Sequence, residues 1–399
     1  MAIARKIQGF LDQASWIRQM FEQGAELKAK YGAENVFDFS LGNPNLEPPI
    51  RFKEVLIDVA KAEGPGNHAY MPNTGYPAVR EAVADYVSTE QGVTVTSEDI
   101  IMTCGAAGAL NVILKAILDP GDEVITPAPF FVEYGFYVDN HGGVLKKVPT
   151  RSDFTLDLKA IQTAITPKTK AILINSPNNP SGQIYSEEGL KELGALLETE
   201  GRRIKRTIYL ISDEPYRKIT FDGTRVPALF SCYPESMIAT SYSKDLSIPG
   251  ERIGFLAVSP GATYKKELLA AMAFANRTLG YVNAPALMQR VIQHLQGVSV
   301  DAALYQEKRN LLCEGLSRCG YEFVKPKGAF YLFPASPIPD DVAFVRSLQE
   351  ERILTVPGSG FGCPGFFRIA FCVNDRTIKE AMPGFEQAMK RVKDKLRTS

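Results

Sequence analysis

Short apolar runs alternate with helix-like patterns between about residues 100 and 275, and this alternation constrains the fold more than any other feature of the chain. A short apolar run bounded by turn residues is typical of a buried strand, and helical patterns between such runs favour a largely parallel sheet. The clearest predicted strands are 100–103, 123–126, 171–174, 208–211, 237–240 and 254–258. The sequence therefore predicts an α/β domain.

Polar or glycine-rich segments directly follow most of these predicted strands. They are residues 104–108, 127–131, 175–180, 213–216 and 241–244. In open α/β sheets, ligands bind beyond the carboxyl ends of the parallel strands. We therefore expect the functional site to be built from these segments.

A glycine-rich turn opens the helix that is predicted over 105–118. The free backbone N–H groups and the positive dipole end of a helix N-terminus suit a phosphate group. A tight strand-to-helix turn without any ligand would use the same glycines, so this turn by itself leaves both explanations open.

Two ionisable residues, Asp213 and Lys244, stand at the ends of apolar runs. An ionised carboxylate in such a place is costly unless it meets a cation or hydrogen-bond donors. A lysine there can have the lowered pKa that makes it a nucleophile towards carbonyl groups. Most lysines are instead exposed surface residues, so the surrounding motifs must decide between the two explanations.

Several motifs occur in a defined order around these two residues. They are Asn179-Pro180-Ser181-Gly182, Asp213-Glu214-Pro215-Tyr216, Ser241-Tyr242-Ser243-Lys244 and Gly250-Glu251-Arg252-Ile253-Gly254. With them the chain resembles the class I/II aminotransferases, pyridoxal-phosphate-dependent enzymes of fold type I that include aspartate aminotransferase. The resemblance runs over nearly the whole length of the chain.

The resemblance implies the overall architecture. We expect a large domain with a mostly parallel seven-stranded sheet sandwiched by helices, and a smaller α+β domain. The implied divisions are an N-terminal segment over 1–44 that joins the small domain, a cofactor-binding domain over 45–282 and a small C-terminal domain over 283–399. The resemblance also implies a homodimer with shared active sites, because Tyr70 matches a tyrosine that reaches the phosphate group in the neighbouring subunit.

The resemblance also implies the residues that act on the cofactor, pyridoxal 5'-phosphate. Lys244 matches the lysine that forms a Schiff base with it and then moves the proton. Asp213 matches the aspartate that keeps the pyridine nitrogen protonated, so that the ring can withdraw electrons. Tyr216 and Asn179 match the two residues that contact the ring oxygen.

Further residues are carried over to the phosphate group, the ring face and the substrate. The phosphate group is expected at Gly105, Ala106, Ala107, Ser241 and Arg252, and the ring against Phe131. The substrate carboxylate is expected at Arg368, with Gly42 and Asn179. Ala106 and Ala107 replace the polar residues of many relatives, which implies phosphate contacts there through the backbone alone.

Composition argues against several other classes of partner. Lys plus Arg and Asp plus Glu both number 45, so no basic field favours nucleic acid or an anionic membrane. Only three histidines are present and no Cys-x-x-Cys pair occurs, so we expect no metal site. Residues 1–10 lack the apolar core of a signal peptide and no long apolar run occurs, so we expect a cytoplasmic protein.

Three other functions share some of these sequence features. A pyridoxal-phosphate-dependent carbon–sulfur lyase would use the same residues, and release of pyruvate and ammonia from cystine without a keto acid would distinguish it. The glycine-rich segment 358–362 suggests a nicotinamide-dependent oxidoreductase, but it lacks the glycine spacing and the following acidic residue of that motif. A non-catalytic protein that keeps the fold would have lost Lys244 or Asp213.

Overall fold

The structure is a computed structural model that describes residues 2–62 and 64–398, without the side chains of 12–22 and 395–398. Its α-helices are α1 (Arg5–Tyr31), α2 (Ile50–Lys61), α3 (Pro77–Gln91), α4 (Gly105–Ile117), α5 (Glu133–Asn140), α6 (Leu158–Ala164), α7 (Glu187–Ile204), α8 (Lys265–Thr278), α9 (Ala286–Gln293), α10 (Ala302–Cys319), α11 (Asp341–Glu350) and α12 (Asp375–Thr398). Its strands are β1 (Phe37–Asp38), β2 (Ile100–Thr103), β3 (Glu123–Ala128), β4 (Val144–Pro149), β5 (Thr169–Asn175), β6 (Tyr209–Asp213), β7 (Ser236–Ser241), β8 (Gly254–Val258), β9 (Tyr331–Leu332), β10 (Ile353–Leu354), β11 (Val356–Pro357) and β12 (Phe367–Ala370).

The largest sheet in the described residues has seven strands in the order β2-β8-β7-β6-β5-β3-β4. Strands β4, β3, β5, β6 and β7 pair in parallel, whereas β8 is antiparallel to both of its neighbours. The predicted α/β fold with a mostly parallel seven-stranded sheet is confirmed.

Helices cover both faces of this sheet. Along β5, Ile172 and Ile174 pack in one apolar cluster with residues of α2, α3, α7 and α9. Ala171 and Leu173 pack in a second cluster with residues of α4, α5 and α8. Successive side chains of a strand point to opposite faces, so a strand buried on both faces is apolar throughout, as the sequence pattern of β5 indicates.

The chain forms two compact units. The smaller unit comprises the described residues of Met1–Asn43, Tyr305–Lys325 and Phe330–Ser399, and the larger comprises those of Pro44–Leu304 and Pro326–Ala329. Residues 283–304, which the sequence pattern places in the C-terminal domain, belong to the larger unit in this division. The reason is that Met288, Val291 and Ile292 of α9 are buried in the apolar cluster that also contains residues of α2 and α3.

The smaller unit contains the antiparallel sheet β11-β12-β9 and the parallel pair β1-β10. The sequence pattern does not indicate β10 and β11, which have two residues each, or β4 in the larger unit. Strand β4 lies at the sheet edge with most of its residues exposed or half-buried, so it lacks a continuous apolar run.

Two features are absent from the described residues. None of the helices there is long and apolar enough to cross a bilayer. Within the same residues, no group of His, Cys, Asp and Glu side chains could hold a metal ion.

Candidate active site

The carboxyl ends of β5 and β6 lie side by side, with Asn175 opposite Asp213. Asn175 Nδ2 donates to the backbone oxygen of Asp213 at 2.8 Å, and Asn175 Oδ1 accepts from the backbone N–H of Asn179 at 2.6 Å. Asn175 therefore fixes the turn that carries Asn179 against the strand that carries Asp213. Sequence reasoning gave Asn175 no role, although its place at a strand end was the available signal.

The Asp213 carboxylate is buried and only partly satisfied. Its Oδ2 accepts a hydrogen bond from the Tyr134 hydroxyl at 2.6 Å, whereas its Oδ1 has no hydrogen-bond partner among the described residues. Burial raises the pKa of Asp213 to about 7, although the hydrogen bond from Tyr134 acts in the opposite direction. A carboxylate in this state can bind a cationic donor, such as a protonated ring nitrogen.

Tyr134 lies on α5 and is fully buried. Its ring stacks on Phe130 at 6.5 Å between centroids and meets Phe131 edge-on at 5.7 Å. These aromatic contacts fix the Tyr134 ring so that its hydroxyl reaches Asp213. Sequence reasoning missed Tyr134, because an aromatic residue in an apolar helical pattern gives no sign of a polar partner.

A candidate anion site lies where β2 turns into α4. Helix α4 begins at Gly105, whose φ of +73° favours glycine. A Cβ on Gly105 would lie 3.1 Å from Arg252 Nη2, so the guanidinium closely approaches the helix N-terminus. Ser241, at the end of β7, is buried. A helix N-terminus beside a guanidinium suits a phosphate group.

The other predicted cofactor residues of the larger unit have different degrees of exposure. Tyr216 and Asn179 are buried, and Lys244, in the turn after β7, is half-buried. Phe131, Ala106 and Ala107 are half-buried as well. Tyr70 is 91% exposed, which sets it apart from the rest of the predicted set.

Arg368 and Gly42 belong to the smaller unit. Arg368 lies on β12, is 8% exposed and donates through Nη2 to the backbone oxygen of Ser40 at 2.5 Å. Its guanidinium carbon lies 4.8 Å from the ring centroids of both Tyr331 and Phe361. Gly42 packs against the Tyr331 hydroxyl so closely that a Cβ there would overlap it. An arginine whose guanidinium lies close to two rings can still donate from its edge to a carboxylate.

Comparison with known proteins identifies the family. Residues 34–384 match the model of the family described as aminotransferase class I and II. The probable aspartate/prephenate aminotransferase of Thermus aquaticus is 34% identical over 355 residues, which cover 87% of this chain and 90% of the relative. Aromatic-amino-acid aminotransferase 2 of Thermococcus litoralis is 29% identical and covers 95% of this chain and 96% of its own length.

Solved structures that are similar to this chain are also aminotransferases. An aminotransferase from Eubacterium rectale is 41% identical with a TM-score of 0.95, and the match covers 98% of this chain and 99% of that structure. Aspartate aminotransferase from Thermus thermophilus with maleate is 29% identical with a TM-score of 0.85, covering 97% of this chain and all of that one. These matches do not favour the lyase or the oxidoreductase. The chain belongs to the class I and II aminotransferases, and it is therefore a transaminase that uses pyridoxal phosphate.

Proposed function

We propose that this chain transfers the amino group of an L-amino acid to a 2-oxo acid in two half-reactions, with Lys244, Asp213 and Arg368 in the main roles. The observation that carries the proposal is Asp213 Oδ1, a buried carboxylate oxygen without a partner among the described residues. A buried acceptor of this kind costs free energy unless a donor meets it. The protonated ring nitrogen of pyridoxal phosphate is such a donor, so the residues present fit the cofactor.

The remaining cofactor residues are assigned by the resemblance to the family. The backbone N–H groups of Gly105, Ala106 and Ala107, the Ser241 hydroxyl and the Arg252 guanidinium would hold the phosphate group. Tyr216 and Asn179 would contact the ring oxygen, and Phe131 would stack on the ring. The closeness of Gly105 to Arg252 supports the assignment of the phosphate group.

When bound, pyridoxal phosphate supplies a ring that accepts the electrons of the substrate bond that breaks. Asp213 would keep the ring nitrogen protonated, which strengthens that electron withdrawal. Lys244 Nζ would hold the cofactor at its carbonyl carbon. The Lys244 amine would take the proton from the substrate Cα and deliver it to the cofactor carbon.

Arg368 would bind the α-carboxylate of the substrate, with help from Asn179 and the backbone of Gly42. Its burial and the two flanking rings support this role, because a buried guanidinium is stable only beside acceptors. The names of the relatives point to aspartate, prephenate and aromatic amino acids as the first compounds to try.

We also propose a homodimer with shared active sites. Tyr70 matches the family tyrosine that reaches the phosphate group in the neighbouring subunit, and its 91% exposure leaves the ring accessible to a second chain. A cytoplasmic location stays a prediction from the sequence.

An absorbance scan of the purified protein, before and after addition of single amino acids without a keto acid, tests the assignment. We expect a visible band from the lysine-bound cofactor, and a true donor should convert it to the pyridoxamine form. Lys244→Ala should remove the band and turnover, whereas Lys191→Ala, at an exposed lysine of α7, should change neither. Turnover that survives in Lys244→Ala would exclude the assignment, and pyruvate formed under a persistent band would favour the lyase.

A further inference from the structure

Several buried charged side chains follow the candidate cofactor residues Asp213 and Lys244 in the chain, within the larger unit. Glu214 directly follows Asp213 and accepts a hydrogen bond from Arg217 Nη1 at 2.9 Å. Arg217 Nε also donates to Glu90 on α3 at 2.8 Å. Glu214 is 3% exposed and Arg217 is 13% exposed, so these pairs are largely shielded from water.

A second ion pair includes Asp245, the residue directly after Lys244. Lys218 Nζ lies 3.0 Å from Asp245 Oδ2, and the two side chains are 15% and 10% exposed. Lys218 Nζ also donates to the backbone oxygen of Val298 at 3.2 Å and lies 4.7 Å from the ring centroid of Tyr86. Water screens a pair of this kind only weakly, and removal of one partner leaves the other charge buried.

The pair joins two turns that follow neighbouring parallel strands. Lys218 lies in the turn after β6, which ends at Asp213, and Asp245 lies in the turn after β7, which leads to Lys244. The Asp245 backbone oxygen accepts from the Val300 N–H at 2.7 Å, and its Oδ1 accepts from the Leu246 N–H at 3.0 Å. Asp245 is therefore fixed at three points, directly beside Lys244 in the chain.

A small cavity adjoins the pair. It has a volume of about 40 Å³ and is lined by Tyr86, Glu90, Arg217, Lys218 and Asp245 among others. This space has room for about one water molecule. The lining also includes the apolar side chains of Val87, Ile238 and Phe255, so packing and the ion pair act together at this place.

We propose that Lys218 and Asp245 are positioning residues, and that their ion pair fixes the position of Lys244 relative to Asp213. The proposal rests on the role of Lys244 proposed above. Neither residue needs to touch the cofactor. Their effect is to keep Nζ of Lys244 where it can reach the cofactor carbonyl carbon, so that loss of the pair slows bond formation at Lys244 without weakening the phosphate and ring contacts.

Two ligands separate these effects in the cofactor-free protein. Pyridoxal phosphate forms a bond with Lys244 and produces a visible band, whereas pyridoxamine phosphate makes the same phosphate and ring contacts without that bond. In Lys218→Met and in Asp245→Asn we expect the band to form at least about tenfold more slowly, since each leaves a buried charge unpaired. The affinity for pyridoxamine phosphate should change by less than about threefold.

Further variants complete the test. Lys218→Arg should restore most of the rate, because it keeps the charge, and Lys191→Met, at an exposed pair on α7, should have no effect. An unchanged rate in both single variants would overturn the proposal. A loss of pyridoxamine phosphate affinity in parallel with the rate would also overturn it, because it would show general damage to the site. If the unmodified protein itself forms no band, the assignment of Lys244 fails instead.

Discussion

At the scale of single residues, the hydrogen bond from Tyr134 acts on the pKa of Asp213. Burial raises the pKa of Asp213, and the hydrogen bond from Tyr134 opposes that rise by stabilising the carboxylate form. Asp213 and Lys244 could be predicted as candidates from the sequence, because each is an ionisable residue at the end of an apolar run. Tyr134 could not be predicted, because its importance depends on a partner that is distant in the chain.

Tyr134→Phe removes the hydroxyl and keeps the ring that packs on Phe130 and Phe131. The pKa of Asp213 should rise further, by roughly one unit for a hydrogen bond worth about 1.5 kcal/mol. Only the carboxylate form can hold the proton of the ring nitrogen, so cofactor affinity falls as the pH drops through this pKa. Titration of cofactor binding from about pH 5 to pH 9 should place that fall at a higher pH in the variant. The same midpoint in both proteins would contradict the role of Tyr134.

At the scale of secondary structure elements, the buried strands were predictable, whereas the exposed edge strand β4 and the two-residue strands β10 and β11 were not. The structure places β2 and β8 at the predicted bounds, because both are apolar runs that end at polar or turn residues. Strands β10 and β11 have two residues each. A strand of two residues carries too few side chains to show a period, so only its pairing partner defines it.

Gly42 follows β1 and packs against Tyr331 of β9, and this contact can be tested by mutation. In Gly42→Ala the new methyl group would occupy the place of the Tyr331 hydroxyl and displace that ring from Arg368. Overpacking of this kind typically costs about 1–3 kcal/mol. We expect steady-state kinetics to show an increase of about tenfold or more in KM for the amino acid, with a smaller change in kcat.

Gly9→Ala is the matched control for this change, because a Cβ at Gly9 meets no atom within 4 Å. It should leave both kinetic constants unchanged. If Gly42→Ala also leaves KM unchanged, Arg368 does not depend on Tyr331 for its position.

At the scale of the whole molecule, the proposed homodimer can be tested through Tyr70. A hybrid dimer can be made by co-expression of two differently tagged chains, one with Lys244→Ala and the other with Tyr70→Phe. If Tyr70 serves the neighbouring site, the only site with Lys244 in this hybrid receives an intact Tyr70 from the other chain. Its cofactor affinity should then equal that of the unmodified protein, whereas the Tyr70→Phe homodimer should bind the cofactor several-fold more weakly, consistent with loss of one hydrogen bond.

Light scattering of the purified protein provides the first check, because a monomer would exclude shared sites directly. A hybrid whose cofactor affinity matches that of the Tyr70→Phe homodimer would show that Tyr70 acts within its own chain.

The sequence by itself determined the α/β class and the positions of the buried strands along the chain, and it predicted candidate residues for the chemistry, because apolar runs and the motifs at their ends are local features. Only the tertiary structure decided that Tyr134 meets Asp213, that Asn175 joins two strand ends and that Lys218 pairs with Asp245. It also decided that residues 283–304 pack with the larger unit. The physical reason is that an apolar pattern records how deeply a residue is buried, whereas the partner of a buried polar group is set by how distant segments pack together.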